Sequence, residues 1–329
     1  MAEKCLNIAM NPHGKVKKCR KTAENRRIDC QSRREYDILF AALCLWVVRQ
    51  REAGCGILHC EAAKEGKLWS QEEILVVRFK NYVKAGSLSE AYELNQKKSS
   101  IVGGGMMWLK LQNRVKMTLI DLSGLGLDTI EETEEEFRIG CMCTLRMLET
   151  HEGLNTYFQG VFKECTRAIV GVQFRNGATV GGSVFGRFGF SDIMTCLMAL
   201  DTYVELYQGG VVSLKEFNHM KYDRDILVRI IIKKDGRRAA YAAQRRSGTD
   251  FPLIACCVAE KEGTWYVSAG ARPFRAEVVE AAAVDGRVDC RAVAERFRFG
   301  NNTRGSAEYR KHLTEVYTGR LIKLLGGEG

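Results

Sequence analysis

Along this chain the pattern of apolar and polar positions changes near Val76. Upstream, periodicity is weak, and the one sustained apolar run, "ILFAALCLWVV" (38–48), is long enough for a short helix. Downstream the pattern is regular. "FKNYVK" alternates as a strand does, and Ser87-Leu-Ser-Glu90 has the spacing of a capping box that opens an amphipathic helix. "SSIVGGGMMWLKL" predicts a short strand, a glycine loop and a second apolar helix. A small-residue turn, "ATVGGS", precedes the apolar helix "IMTCLMAL", for which Ser191 or Asp192 is the expected cap. "PLIACCVAEKEGTWYVSAG" reads as two strands joined by a charged, glycine-containing turn. The spacing of Leu313, Val316, Tyr317, Leu321 and Leu324 predicts a core-packing helix from Ser306 to about Leu325.

Composition narrows the class. With 329 residues and 46% hydrophobic content, the chain can bury a sizeable core and is expected to hold more than one domain. The net charge of +10 suggests nucleic acid until its distribution is read: residues 1–35 carry ten Lys or Arg against four acids. A basic tail makes the imbalance, so no nucleic-acid partner is expected. No segment approaches about 18 uncharged apolar residues, and the N-terminus lacks the apolar core of a secretory signal. The expectation is a cytoplasmic protein with no membrane partner. Thirteen cysteines, an odd number at irregular spacings, read as reduced thiols.

Residues 1–75 hold six of those cysteines and are expected to form a disordered or loosely helical extension, or to follow from a start placed too far upstream. Cys55 and Cys60 open like an iron–sulfur loop, but Ala63 stands where the third thiolate is due. Zinc fares no better, because His13 and His59 match no pair of close cysteines. No metal site is expected. Cys141-Met-Cys143 and Cys256-Cys257 lie in apolar runs whose neighbouring positions face opposite ways, and read as core thiols.

The two glycine stretches carry the candidate chemistry. Successive glycines at Gly103, Gly104 and Gly105 let backbone amides converge on an anion, and a helix behind them adds its positive end. A diphosphate suits such a place, although three glycines also make a tight turn. In the second stretch Thr179 offers a hydroxyl, Gly181 and Gly182 offer amides, and Ser183 offers both. Asp192 is either a plain cap or an acceptor for ribose or ribityl hydroxyls. Neither loop fits G-x-G-x-x-G or a P-loop.

The order of motifs then becomes specific. "IVGGGMMWLKL", "LIDLSGLGLDTIEE", "FRIGCMCTLRMLE" and "VGVQFRNGATVGGSVFGRFGFSD" together resemble the FAD-binding subunit of molybdenum hydroxylases, the xanthine dehydrogenase and carbon monoxide dehydrogenase flavoprotein family. The likeness is nearest to xanthine dehydrogenase-type FAD-binding subunits. It continues through "DILVRIIIKK", "AYAAQRRSGTDFPLIACCVA", "GARPFRA" and "SAEYRKHLTEVYTGRL", which look like that family's C-terminal domain, so residues 76–329 are covered.

The resemblance implies an α+β fold: a two-lobed α/β FAD-binding domain over 76–212, then a small C-terminal domain of sheet plus helices over 213–329. It places FAD contacts on Val102, Gly103, Gly104, Gly105, Met106 and Met107, and on Thr179, Gly181, Gly182 and Ser183. Asp192 matches the family acid near the ribityl and ribose hydroxyls, Leu227 a residue beside the flavin, and Arg246 a basic group near the ring's polar edge. Gly105 departs from the usual polar residue and Ser183 from the usual Asn, which bears on affinity. The implied role is electron transfer, from iron–sulfur clusters in one partner subunit through noncovalent FAD to NAD, while a molybdopterin subunit hydroxylates the substrate. No catalytic residue of its own is then expected in this chain. The alternatives are a stand-alone flavoprotein oxidoreductase with another acceptor and, on the strength of the basic N-terminal stretch, a nucleic-acid-binding protein.

Overall fold

The computed structural model describes residues 77–112 and 115–329, so the apolar run at 38–48 and the cysteines of residues 1–75 lie outside the described residues. The first lobe is a parallel sheet with strand order β1-β3-β2, from β1 (Arg78–Lys84), β2 (Ser100–Gly103) and β3 (Val115–Asp121). Helix α1 (Leu88–Asn95) crosses between β1 and β2. Ser87 caps it, its hydroxyl accepting from the Glu90 amide at 3.1 Å. The reciprocal half of the capping box is displaced by one residue: the Glu90 carboxylate accepts from the Gly86 amide at 2.8 Å.

The helix expected after Gly103–Gly105 does not form. The chain makes only a 3-10 turn at Leu109–Leu111 before β3, so no long helix dipole points at that loop. Met106 takes a left-handed conformation there, with φ of 55°.

The second lobe is an antiparallel sheet with strand order β4-β5-β8-β6-β7. Its strands are β4 (Ile130–Glu132), β5 (Glu136–Gly140), β6 (Thr202–Leu206), β7 (Gly210–Ser213) and β8 (Leu227–Lys233). Between β5 and β6 run the helices α2 (Leu145–Thr150), α3 (Glu152–Tyr157), α4 (Val161–Thr166), α5 (Val172–Gly177), α6 (Val180–Phe185) and α7 (Asp192–Ala199). α8 (Leu214–His219) connects β7 to β8 and opens with a complete capping box at Ser213 and Glu216. The sequence-based boundary at residue 212 falls inside this sheet, and β8, which carries most of "DILVRIIIKK", pairs with β5 and β6. That stretch therefore completes the second lobe rather than opening the C-terminal sheet.

Every residue of α7 is buried. An all-round apolar helix needs cover on every side, and α7 receives it from α4 and α6 of its own lobe and from the last sheet. That sheet has the order β12-β11-β10-β9, from β9 (Arg238–Gln244), β10 (Ile254–Lys261), β11 (Thr264–Gly270) and β12 (Glu277–Ala282). β10 and β11 are the two strands expected from the sequence. Their turn is Glu262-Gly263, both at positive φ, the backbone that a two-residue hairpin requires. β10 is buried on both faces: Cys257 and Ala259 join the core around α7, while Cys256 and Val258 join a second core under α9 (Cys290–Glu295) and α10 (Ala307–Leu324). The two thiols face opposite ways, as the strand period requires.

The C-terminal helix forms as expected, capped by Ser306, but its buried stripe differs from the expected one. Arg310, Thr314, Thr318, Leu321 and Ile322 face the sheet, Leu313 and Tyr317 flank it, and Leu324 is exposed. Two of the polar members are satisfied locally: the Thr314 hydroxyl donates to the Arg310 carbonyl at 2.8 Å, and Arg310 donates to the carbonyls of Leu253 and Gly300, each at 2.8 Å, while the Thr318 hydroxyl has no partner among the described residues. Apolar spacing alone could not show that a guanidinium and small hydroxyls would fill the closest approach.

Candidate functional site

Between the two lobes lies a cleft of about 530 Å³, within the range of small-molecule sites. One wall is the end of β2 and the loop after it. The opposite wall is α6 with the turn before it, and the segment from Tyr222 to Leu227 closes one side. Of the residues implicated by the sequence, Val102, Gly104, Gly105, Met106, Met107, Thr179, Gly181, Gly182, Ser183 and Leu227 line this cleft. Gly103 ends β2 behind the wall, where an added Cβ would meet the Leu119 side chain at 2.6 Å.

The two glycine stretches touch. A Cβ on Gly105 would stand 1.4 Å from the Gly177 carbonyl oxygen, and one on Gly104 would stand 2.5 Å from the Thr179 hydroxyl. Only a chain without side chains can cross at that separation. Beyond the crossing, the amides of Gly104, Gly105, Met106 and Met107 make no hydrogen bond among the described residues. Four successive donors without a partner, with a left-handed residue among them, are the ingredients of an anion-binding nest.

The second stretch behaves differently from its expectation. α6 spans only Val180–Phe185, and its leading amides are already engaged. Val180 donates to the Cys143 carbonyl at 2.8 Å, Gly181 to the Cys141 carbonyl at 2.9 Å, and Gly182 to the Thr179 hydroxyl at 3.2 Å. Thr179 is thus an N-cap, and the Ser183 hydroxyl donates back to its carbonyl at 3.0 Å. Gly181 is glycine because α6 lies on the Cys141 backbone, 2.5 Å from where a Cβ would sit, and its φ is not positive. Gly182 is the open position: its Cβ would meet only the Thr179 hydroxyl, at 3.0 Å.

Asp192 lies off the main cleft, on a small cavity of about 60 Å³ that shares Trp108, Ser183 and Phe188 with it. Ser191, not Asp192, caps α7, accepting from the Met194 amide at 3.1 Å. The Asp192 carboxylate instead receives Arg245 Nη2 at 2.5 Å and the Tyr241 hydroxyl. Burial pushes its carboxyl above the ordinary value against the opposing pull of Arg245. Arg246 does not come near: it is exposed, donating to the carbonyls of Thr303 and Arg304. The basic residue on this side is Arg245. Strand alternation held the signal, since 241 and 245 share one face of the β9 path while Ala240 and Ala242 pack into the other core.

Trp108 was also not singled out. It packs against Phe174 and Phe251, with ring centroids 4.9 and 5.6 Å away, and borders both spaces. Arg224 ties the lobes together, donating to the carbonyls of Asn95 and Lys97 at 2.7 and 2.8 Å while its own carbonyl accepts from Asn95 at 2.9 Å. A single arginine in a loop gives no periodic signal. Among the described residues no group of His, Cys, Asp and Glu side chains is gathered that could hold a metal, and no helix is long and apolar enough to cross a membrane. Cys141 and Cys256 are buried, and burial pushes each thiol up to about 12.

An extended dinucleotide fits this chemistry. The amides of Gly104–Met107 are donors of the kind a diphosphate requires, and the remaining walls are largely apolar. Comparison with known proteins agrees. Residues 77–234 match the FAD binding domain in molybdopterin dehydrogenase. The uncharacterized protein YgfM of Escherichia coli K12 is 25% identical over 248 residues, covering 73% of this chain and 94% of that protein. The fold is that of a chain of carbon monoxide dehydrogenase from Hydrogenophaga pseudoflava, with TM-score 0.64, 20% identity, and coverage of 75% of this chain and 96% of that one. It is equally that of a chain of quinoline 2-oxidoreductase from Pseudomonas putida 86, with TM-score 0.62, 18% identity and the same coverage. Residues 77–234 are therefore an FAD-binding domain of the molybdopterin dehydrogenase family, and the likeness to FAD-binding subunits of molybdenum hydroxylases extends into the C-terminal sheet.

Proposed function

We propose that this chain binds FAD noncovalently in the cleft and serves as the electron-transfer subunit of a molybdenum hydroxylase complex of xanthine dehydrogenase type. The observation that carries the reading is the run of free amides at Gly104–Met107, facing α6 across a cleft of about 530 Å³. Bound there, FAD would supply the redox chemistry, electron transfer between iron–sulfur clusters of a partner subunit and NAD. The chain's own part is binding and orientation. The amide nest holds the diphosphate, with Val102, Thr179, Gly182 and Ser183 bordering it. Leu227 and Trp108 present apolar surface on the walls, and the Asp192–Arg245–Tyr241 network fixes the adjoining cavity. Among the described residues the thiol that lines the cleft is Cys141, and burial pushes it up to about 12, so it stays protonated at neutral pH and is no competent attachment point.

The complex belongs with its substrate pocket on a molybdopterin-binding partner, and the expected setting is the cytoplasm. The test is spectroscopic. Purified protein supplied with FAD should show flavin absorption, release the flavin on acid or heat treatment, and co-purify with the iron–sulfur and molybdopterin subunits when these are co-expressed. Flavin that stays on the denatured polypeptide overturns noncovalent binding, and NADH turnover by the isolated chain favours a stand-alone oxidoreductase instead.

A further inference from the structure

Arg187 follows α6 and is only 3% exposed, yet no carboxylate pairs with it among the described residues. Its Nη1 donates to the Met220 carbonyl at 2.9 Å, while Nε and Nη2 have no acceptor. The guanidinium is held by rings instead: Phe217 at 3.9 Å, Tyr222 at 4.8 Å and Phe185 at 5.7 Å from centroid to Cζ. Tyr222 is fixed in turn, its hydroxyl donating to the Gly186 carbonyl at 2.7 Å. The backbone of Arg187 is left-handed, with φ of 45°. Burial works against the charge, and Asp223, the carboxylate that favours it, forms no ion pair with it among the described residues; a buried cation so placed and a side-chain-bearing residue in that conformation both destabilise a fold. An apolar residue of similar volume would be the more stable choice.

The position of this cation suggests what it does. Phe185, Gly186, Phe188 and Tyr222 line the cleft, so the charge stands directly behind its wall. The same wall carries two acids, Asp223 and Asp225, which would repel an anionic ligand. Asp225 is engaged by the amides of Gln208 and Gly209, and Asp223 accepts from the Asp225 amide at 3.1 Å and acts on Arg187 through space without an ion pair. Aromatic rings do not screen a charge as water does, so the field of Arg187 reaches the cleft through a medium of low polarity.

We propose that Arg187 is an electrostatic positioning residue, kept free of a direct ion pair so that its charge attracts a diphosphate-bearing dinucleotide in the cleft without touching it. The inference rests on the FAD reading and adds to it a determinant selecting phosphorylated over unphosphorylated flavins.

The test compares FAD with riboflavin by fluorescence titration of the full chain carrying Arg187→Met or Arg187→Lys. Arg187→Met should weaken FAD binding about tenfold, leave riboflavin binding within about twofold, and melt no lower than wild type without ligand. Arg187→Lys should recover most of the FAD affinity. A parallel loss for both flavins, no loss for either, a lysine variant as weak as the methionine one, or a methionine variant that no longer folds would each overturn the proposal. If wild type binds FAD and Arg187→Met matches it, only this inference falls; if wild type binds neither flavin, the FAD reading falls with it.

Discussion

Gly105 and Gly182 show how one residue type serves two ends. At Gly105 the limit is internal, since an added methyl group collides with the Gly177 carbonyl. Gly105→Ala should therefore destabilise the protein by about 2 kcal/mol or more, as overpacking does, with flavin lost as a consequence. At Gly182 the limit is the ligand. Gly182→Ala gains helix propensity of up to about 1 kcal/mol against one tight contact, so the melting temperature should hold while FAD affinity drops about tenfold. Equal affinity in Gly182→Ala and wild type would show that FAD does not approach α6. Gly181, by contrast, reports on packing against Cys141, so its replacement cannot probe the ligand. The thiols give a further check. Burial pushes Cys141 and Cys256 up to about 12, so alkylation at pH 8 followed by peptide mapping should label neither until the protein is denatured.

Among the elements, α2 and α5 are joined by a buried ion pair, with Arg175 Nε 2.7 Å from Glu149. Burial pushes the Glu149 carboxyl up, but the hydrogen bonds of Arg175 and Arg146 outweigh it and hold the group below its usual value. A lowered folded-state value means stability that is present above the unfolded carboxylate pKa of about 4.3 and is lost as pH falls through the folded one. Melting temperatures of wild type should fall across that acid window more steeply than those of Glu149→Gln. Parallel acid profiles would assign the loss to other carboxylates. The lobes meet through Arg224 and the carbonyls at the end of α1. Arg224→Ala should speed FAD release, measured by stopped-flow displacement, more than it lowers the melting temperature; an unchanged release rate would show that this tether does not hold the cleft closed.

At the scale of the molecule, the described residues form two cores, one around α7 and one under α10. A chain beginning near Val76 is expected to be soluble, to bind FAD and to melt where the full protein does, the outcome for a segment that buries nothing against these cores. Aggregation or loss of FAD would show that Leu39, Leu43, Trp46 and Val47 dock on the flavin domain.

The sequence by itself determined the features that local chemistry controls. Ser87, Ser191 and Ser306 cap helices because a hydroxyl before a helical run satisfies a free amide, and Glu262-Gly263 turns because few residues tolerate positive φ. The glycine stretches were visible for the same reason, as was their order, which carried the family resemblance. Tertiary structure decided what depends on partners distant in the chain. It used the amides of α6 on Cys141, Cys143 and Thr179 and left those of Gly104–Met107 free, a difference set by which loop lies on which backbone. It turned Arg245 rather than Arg246 toward Asp192, and placed a guanidinium and two threonines on the buried face of α10. Burial assigns those roles, and burial is a property of the assembled layers, not of any window of sequence.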